Sequence, residues 1–162
     1  MILWRISNYV SFDGAGGLMT GGRWHTKGRP VVYCSMNPAT ALLENLVHNE
    51  IDSEDRPERF QALKVEASDG VSMERIEFDL LPVGWRANLL VTQAIGDAWL
   101  KAGRSLILEV PSVLVPETWN VLVNPRHEEI GQLELARVYQ HVFRCEAAAV
   151  DCENVLTCKR QI

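Results

Sequence analysis

The chain has 162 residues, enough for one domain whose hydrophobic core needs neither disulfides nor a metal. Its net charge of −5 opposes binding to nucleic acid or to an anionic membrane, and no apolar run reaches the roughly 20 residues that cross a bilayer. Residues 1–10 lack the basic and apolar segments of a secretion signal, so we expect a cytoplasmic protein.

The first elements of the chain are a short strand and a long glycine-rich loop. Residues 2–6 are apolar and β-rich around Arg5, which predicts a strand. The loop of residues 13–30 holds six of the eleven glycines. A loop of this length in a small domain is usually functional or disordered. Its interleaved Leu18, Met19 and Trp24 favour an ordered loop that is partly buried.

A strand and a helix follow the loop. Residues 30–35 predict a strand, and residues 36–50 predict a helix with Asn37 as N-cap and Pro38 at its first position. Apolar residues recur at helical spacing and form a stripe. Glu44 lies to the side of that stripe, so we do not expect it in the core.

The rest of the chain alternates strands with one helix. A polar linker is predicted over 51–59, strands over 60–67 and 72–79, and a helix over 90–103 that ends at Gly103. Further strands are predicted over 105–112 and 120–125. Strands mixed with two or three helices predict one α+β or mixed α/β domain over residues 1–162.

The cysteines give no sign of a metal site. Cys34, Cys145, Cys152 and Cys158 form no CxxC pair, and their spacing does not fit a zinc centre. We therefore predict no metal and reduced thiols, with Cys34 in a buried strand.

Two arginines are candidates for binding an anionic ligand. Arg23 follows glycines that let the backbone approach a ligand closely, and its forked guanidinium suits phosphates. Arg5 lies in an apolar strand, where an unpaired charge is costly. The alternatives are a solvated loop cation for Arg23 and a structural ion pair for Arg5. The sequence contains neither a P-loop nor a dinucleotide-binding glycine motif.

Other candidate side chains are equally open to a structural interpretation. Tyr33 fits either a core tyrosine or a stacking surface, and Glu44 fits either a solvated helix residue or a catalytic carboxylate. His25 and His127 fit loop residues or hydrogen-bond partners, and Ser112 fits a turn cap or a ligand contact. No nucleophilic-serine motif is present.

Several motifs in order resemble the RES domain, a family named for an arginine, a glutamate and a serine. The resemblance covers residues 2–130, and its motifs are LWRI, GGRWHTKGRPVVYCS, ALLENLVH, IGDAWL, LEVPSVLVPE and NVLVNPRH. Residues 143–162 depart from the usual end of the family. The resemblance implies a fold similar to ADP-ribosyltransferases and the consumption of NAD⁺ as a substrate, with no separate cofactor.

The resemblance also assigns roles to individual residues. It implies that Arg23, Tyr33 and Glu44 are catalytic, that Arg5 contacts the substrate, and that Ser112 either orients the nicotinamide amide of the substrate or holds Glu44. We add His25 and Trp24 as substrate-binding candidates from the same loop. A guanidinium can bind the pyrophosphate of NAD⁺, and an aromatic face can bind its cationic nicotinamide ring. A carboxylate can stabilise the positive charge that develops when the nicotinamide–ribose bond breaks.

The function implied is that of a toxin in a toxin–antitoxin pair, which depletes NAD⁺ by hydrolysis or phosphorolysis. ADP-ribosyl transfer to a protein is the enzymatic alternative, and a non-catalytic binding module is the alternative from another class. The implied partner is an Xre-type antitoxin with a helix-turn-helix fold, which would contact DNA in place of this acidic chain. A homodimer within that complex is compatible with the resemblance.

Overall fold

A computed structural model describes residues 1–48 and 59–142. Its α-helices are α1 (Ala15–Met19), α2 (Pro38–His48) and α3 (Leu89–Ala102), and short 3₁₀ helices cover Phe78–Leu80, Trp85–Ala87 and Glu128–Gln132. The strands are β1 (Ile2–Ile6), β2 (Val32–Ser35), β3 (Arg59–Ala67), β4 (Met73–Arg75), β5 (Ile107–Pro111), β6 (Trp119–Val123) and β7 (Leu133–Val142).

The strands of the described residues form one mixed sheet in the order β4-β5-β6-β2-β1-β3-β7. The β4–β5 pair is parallel, and the other neighbouring pairs are antiparallel. The predicted mixed α/β class is confirmed.

Most predicted elements are present, with three differences. The predicted loop over 13–30 contains the short helix α1, and the predicted strand over 72–79 ends early, at Arg75. Strand β7 was not predicted, because a register shift opposite Lys64 and Val65 interrupts its alternation of side chains. Residues 51–58 of the predicted linker lie outside the described residues, and Arg59 already belongs to β3.

Each face of the sheet carries its own apolar cluster. Cys34 points to one face, where the cluster consists of Leu3, Val32, Cys34, Val65, Leu106, Ile107, Val121 and Val123. Tyr33 packs on the other face, whose cluster consists of Trp24, Val31, Leu81, Trp85, Trp99, Leu108, Val110 and Leu122. The predicted burial of Cys34 is confirmed, and burial raises the pKa of its thiol to about 12. The other cysteines lie outside the described residues.

The start of α2 and the end of α3 lie at the capping residues that the sequence predicts. Asn37 Oδ1 accepts a hydrogen bond of 2.8 Å from the backbone N–H of Ala39 at the start of α2. Asn88 caps α3 in the same way, and Gly103 ends it with a φ of 57°, as predicted. Across residues 1–48 and 59–142, no helix has the length and apolar character to cross a membrane.

Helix α3 fixes the glycine-rich loop against the sheet. The Thr92 hydroxyl donates to the carbonyl of Arg23 at 2.7 Å, and the Gln93 side chain donates to the carbonyl of Gly22 at 3.0 Å. A Cβ at Gly96 would lie 1.8 Å from the Trp24 carbonyl oxygen, so only glycine allows this close approach. The loop is therefore held in place and Trp24 is buried as expected, whereas Leu18 and Met19 are 41% and 71% exposed.

Candidate active site

The carboxylate of Glu44 is held by two side chains from the sheet. Glu44 lies on α2, and its Oε1 accepts hydrogen bonds from Ser112 Oγ at 2.6 Å and from Asn120 Nδ2 at 2.7 Å. Among the described residues, no donor reaches Oε2. The two hydrogen bonds to Oε1 thus orient the carboxylate and leave Oε2 available for a ligand.

Asn120 is oriented in turn by Ser35, at the end of the neighbouring strand. The Ser35 hydroxyl donates to Asn120 Oδ1 at 2.8 Å, and both residues are buried. Because Oδ1 receives this bond, the amide must present Nδ2 to Glu44. The pairing of Ser35 with Asn120 in the β2–β6 register brings the two side chains to the same face of the sheet.

Ser112 is fixed at the turn that follows β5. Its N–H donates to the Thr118 carbonyl, and its Oγ accepts from the backbone N–H groups of Leu114 and Val115 at 3.1 and 3.0 Å. With both lone pairs of the hydroxyl engaged, its hydrogen is directed at Glu44. Ser112 therefore acts as a donor to the carboxylate and also holds the turn.

Tyr33 lies on the same face, two residues before Ser35. Its hydroxyl accepts from the Trp24 N–H at 3.1 Å and lies 2.9 Å from His25 Nδ1. His25 Nε2 lies 3.1 Å from the Thr20 carbonyl, which can only accept, so in the neutral ring Nε2 carries the hydrogen and Tyr33 donates to Nδ1. Burial raises the pKa of Tyr33 well above its ordinary value, so the phenol stays neutral.

Arg23 brings a positive charge to this region. The next residue, Trp24, donates its backbone N–H to the Tyr33 hydroxyl, and the charge of Arg23 acts to lower the pKa of Tyr33 against the larger effect of burial. Within the described part of the chain, the guanidinium has no hydrogen-bond or ion-pair partner. Tyr33 and Ser35 share a face and lie about 7 Å apart along β2, so Tyr33 and the carboxylate of Glu44 lie on the same side of the sheet.

The structure places Arg5 elsewhere. Arg5 follows Leu3 by two residues, so it lies on the sheet face that carries Cys34, opposite to Tyr33. Its guanidinium donates to the Ser11 carbonyl at 2.6 Å, and burial lowers its pKa. Arg5 is therefore not brought together with Glu44, and its contact with a substrate stays a prediction.

Trp24, His25 and His127 have well-defined structural contacts. The Trp24 side chain is 2% exposed and packs on Trp85, with ring centroids 6.0 Å apart. His25 is buried against Tyr33, and His127 accepts from the Glu129 N–H at the start of a 3₁₀ helix. The structure thus gives all three a supporting role, and direct ligand contacts by Trp24 and His25 stay predictions.

Asn120 and Ser35 are members of the site that the sequence analysis missed. Each is a polar residue at the end of an otherwise apolar strand, which is a weak signal by itself. Only the antiparallel register of β2 with β6 shows that they meet. Nowhere in the described part of the chain do three or more His, Cys, Asp or Glu side chains form a metal site.

Comparison with known proteins identifies the family. The RES domain family matches residues 2–144. A protein named Toxin Res from Pseudomonas putida is 46% identical over 129 residues, which cover 80% of this chain and 88% of the relative. A protein named Prs ADP-ribosylating toxin from a Sphingobium species is 35% identical over 150 residues, which cover 86% of this chain and 92% of the relative.

A solved structure has the same fold. A chain in the crystal structure of the M. tuberculosis MbcT–MbcA toxin–antitoxin complex superposes with a TM-score of 0.65 and 16% identity, covering 87% of this chain and 84% of that chain. The match to residues 2–144 and the identities of 35 to 46% with full-length relatives together show that the chain belongs to the RES domain family of toxins.

Proposed function

We propose that this protein cleaves the nicotinamide–ribose bond of NAD⁺ and transfers the ADP-ribosyl group to water or phosphate, so that growth stops when NAD⁺ is depleted. The observation that supports this proposal most directly is the state of the Glu44 carboxylate. Ser112 and Asn120 hold its Oε1, and its Oε2 is available to a ligand.

Glu44 would act on the ribose of the substrate. Cleavage of the bond leaves positive charge on the ribose ring, as in an oxocarbenium-like transition state. A fixed carboxylate stabilises such charge without reorganising, and Oε2 can accept a hydrogen bond from a ribose hydroxyl. Nicotinamide leaves as a neutral molecule, so the reaction needs no strong general acid, in keeping with a site built around one carboxylate.

Arg23 and Tyr33 would hold the two ends of the substrate. The Arg23 guanidinium has no partner among the described residues, so its forked donors are available to the pyrophosphate. The Tyr33 hydroxyl is held by Trp24 and His25, which fixes the plane of the ring. A fixed ring can present its face to the nicotinamide, whose positive charge favours a cation–π contact before cleavage.

A protein acceptor is the second candidate. The Sphingobium relative is named an ADP-ribosylating toxin, and transfer to a protein shares the bond-breaking step that Glu44 would assist. The same three residues therefore serve either acceptor.

An antitoxin is the expected partner. The solved structure with the same fold belongs to a toxin–antitoxin complex. We propose an Xre-type antitoxin with a helix-turn-helix fold that covers the surface around Arg23. The acidic balance of this chain is consistent with DNA contacts made by that partner.

The experiment is incubation of the purified protein with NAD⁺, with and without phosphate, and separation of the products by mass. Free nicotinamide with ADP-ribose supports hydrolysis, and phosphorylated ADP-ribose supports phosphorolysis. Nicotinamide release that requires an added protein supports the transferase. If no condition releases nicotinamide, the enzymatic proposal is wrong and a binding module is favoured.

A further inference from the structure

A cleft lies beside the C-terminal end of β6, whereas Asn120 lies near the start of that strand. Its volume is about 430 Å³, and it lies between residues 28–30, the end of α3 and the turn after β6. Asn120 begins the pairing of β6 with β2 and Asn124 follows the strand. Four residues of extended chain separate them by about 13 Å, so this cleft is distinct from the surface around Glu44.

The cleft is lined by cations in a protein that is acidic overall. Arg29, Lys101 and Arg126 line it, and no carboxylate is among its described lining residues. The whole chain has 21 acidic and 16 basic residues, so three cations around one cleft run against the average charge. Lys101 and Arg126 form no ion pair with the described residues. Their charges are thus available to a ligand.

Arg29 is held so that part of its guanidinium stays available. Its Nε lies 2.8 Å from Asp97 Oδ2, and Asp97 is itself fixed by the N–H and hydroxyl of Thr26. The contacts of the Arg29 guanidinium with Asp97 and Thr26 are both made through Nε. The two terminal nitrogens make no hydrogen bond to described residues and can donate as a pair to a phosphate.

Asn124 adds an uncharged donor at the base of the cleft. It is 3% exposed, and its Oδ1 accepts from the Arg126 N–H at 3.0 Å. That bond fixes the orientation of the amide, so Nδ2 is the atom left to donate. Nδ2 has no hydrogen-bond partner among the described residues, although the side chain lines the cleft and is almost wholly buried. An amide donor that lines the cleft and has no partner there favours a ligand that accepts hydrogen bonds.

We propose that this cleft binds an anion with at least two negative charges, of the phosphate or diphosphate class. Three cations and one amide donor supply hydrogen bonds and positive charge that match phosphate oxygens. The volume suits a phosphate-bearing group of small-molecule size. Binding here does not require NAD⁺ cleavage, so the two proposals fail or succeed separately.

Titration of the protein with inorganic pyrophosphate tests the site. Binding is measured by calorimetry and by the change in the NMR signals of the asparagine side-chain amides. We expect the Asn124 amide signal to move. We also expect R126Q and K101Q each to weaken binding by about tenfold, the typical effect of one charge-assisted hydrogen bond. The matched control is R137Q, an exposed arginine on β7 at the far edge of the sheet.

Asn124→Asp gives a sharper test of the amide donor at the base of the cleft. The new carboxylate keeps the oxygen that accepts from the Arg126 N–H, but it removes Nδ2 and adds a negative charge, so pyrophosphate binding should be lost. Circular dichroism establishes that the variant is folded. If it is not, R126Q and K101Q decide the question, because both residues are exposed.

A further variant, R23Q, separates this cleft from the site around Glu44. Pyrophosphate binding that survives in R23Q and falls in R126Q supports the proposal. Binding lost in R23Q but unchanged in R126Q overturns it and places the anion at Arg23. Absence of pyrophosphate binding to the wild-type protein overturns the proposal as well. Binding of a polyglutamate peptide in preference to pyrophosphate also overturns it and would indicate an acidic protein partner instead.

Discussion

Asn120 Nδ2 donates a hydrogen bond of 2.7 Å to Glu44 Oε1, although the two residues are 76 positions apart in the chain. Since Ser112 donates to the same oxygen, the carboxylate is fixed by one residue of β6 and by one residue of the turn that follows β5. A carboxylate held in this way faces a ligand with one defined oxygen.

Glu44→Gln should abolish most activity and leave the fold intact. The amide oxygen of Gln still accepts from Ser112 and Asn120, but the negative charge that would stabilise the ribose cation is gone. We expect nicotinamide release to fall by at least about 10²-fold, as when one group that stabilises transition-state charge is removed. Release from NAD⁺ is measured directly. Glu134→Gln, at an exposed position on β7, is the matched control, and wild-type turnover in E44Q would refute the role of Glu44.

Asn120→Ala should lower kcat more than it raises KM, because Glu44 loses an orienting donor and a small misplacement of a reacting group can cost about 10²-fold. Ser35→Ala should have a smaller effect in the same direction, since Ser35 acts through Asn120. Steady-state kinetics of the single and double variants test this order. The double variant should be no slower than N120A alone, and losses that multiply would show that Ser35 acts independently.

Tyr33→Phe and Tyr33→Leu separate the hydroxyl from the ring. The Phe variant leaves the Trp24 N–H without its acceptor, so the free energy of unfolding should fall by about 1–3 kcal/mol. The aromatic face remains, and a cation–π contact with nicotinamide should persist. KM for NAD⁺ should therefore be about tenfold higher in Y33L than in Y33F. Equal KM values, measured on protein that urea unfolding shows to be native, would argue against the stacking role.

Gly96→Ala should destabilise the protein although alanine is the better helix former. Alanine in a helix interior is usually favoured over glycine by about 1 kcal/mol. Here the added Cβ would lie 1.8 Å from the Trp24 carbonyl oxygen, so α3 and the loop that carries Arg23 must separate. We expect a net loss of unfolding free energy and lower NAD⁺ cleavage. Gly131→Ala is the control, because a Cβ there meets nothing within 4 Å.

Asp97 should make the free energy of unfolding depend on pH in the acidic range. Burial acts to raise its pKa, but hydrogen bonds from Thr26 and the charge of Arg29 outweigh burial and lower it below the ordinary value of 3.8. The stabilisation is therefore complete above about pH 4 and is lost as the pH falls through the lowered pKa. Asp97→Asn should cost about 1–3 kcal/mol at pH 7.

Urea unfolding at pH 7, 4 and 2.5 tests this sign. The difference between wild type and D97N should shrink as the pH falls. A difference that stays constant across the three values would show that the charge of Asp97 contributes nothing.

Local signals in the sequence predicted much of the fold. The caps at Asn37 and Gly103 and the buried strand around Cys34 depend on neighbouring residues, and the structure confirms them. Strand β7 was not predicted because its register shift interrupts the alternation of apolar and polar side chains on which strand prediction depends.

The sequence by itself determined most of the elements, the family and the residue types of the site, since propensity, capping and motif order are properties of short segments. Only the tertiary structure decided which polar groups meet. Arg5 and Tyr33 lie on opposite faces of one sheet, whereas Ser35, Asn120 and Glu44 join into one chain of hydrogen bonds. Those contacts are set by strand register and by the packing of α2, which involve residues far apart in sequence, and so no local pattern encodes them.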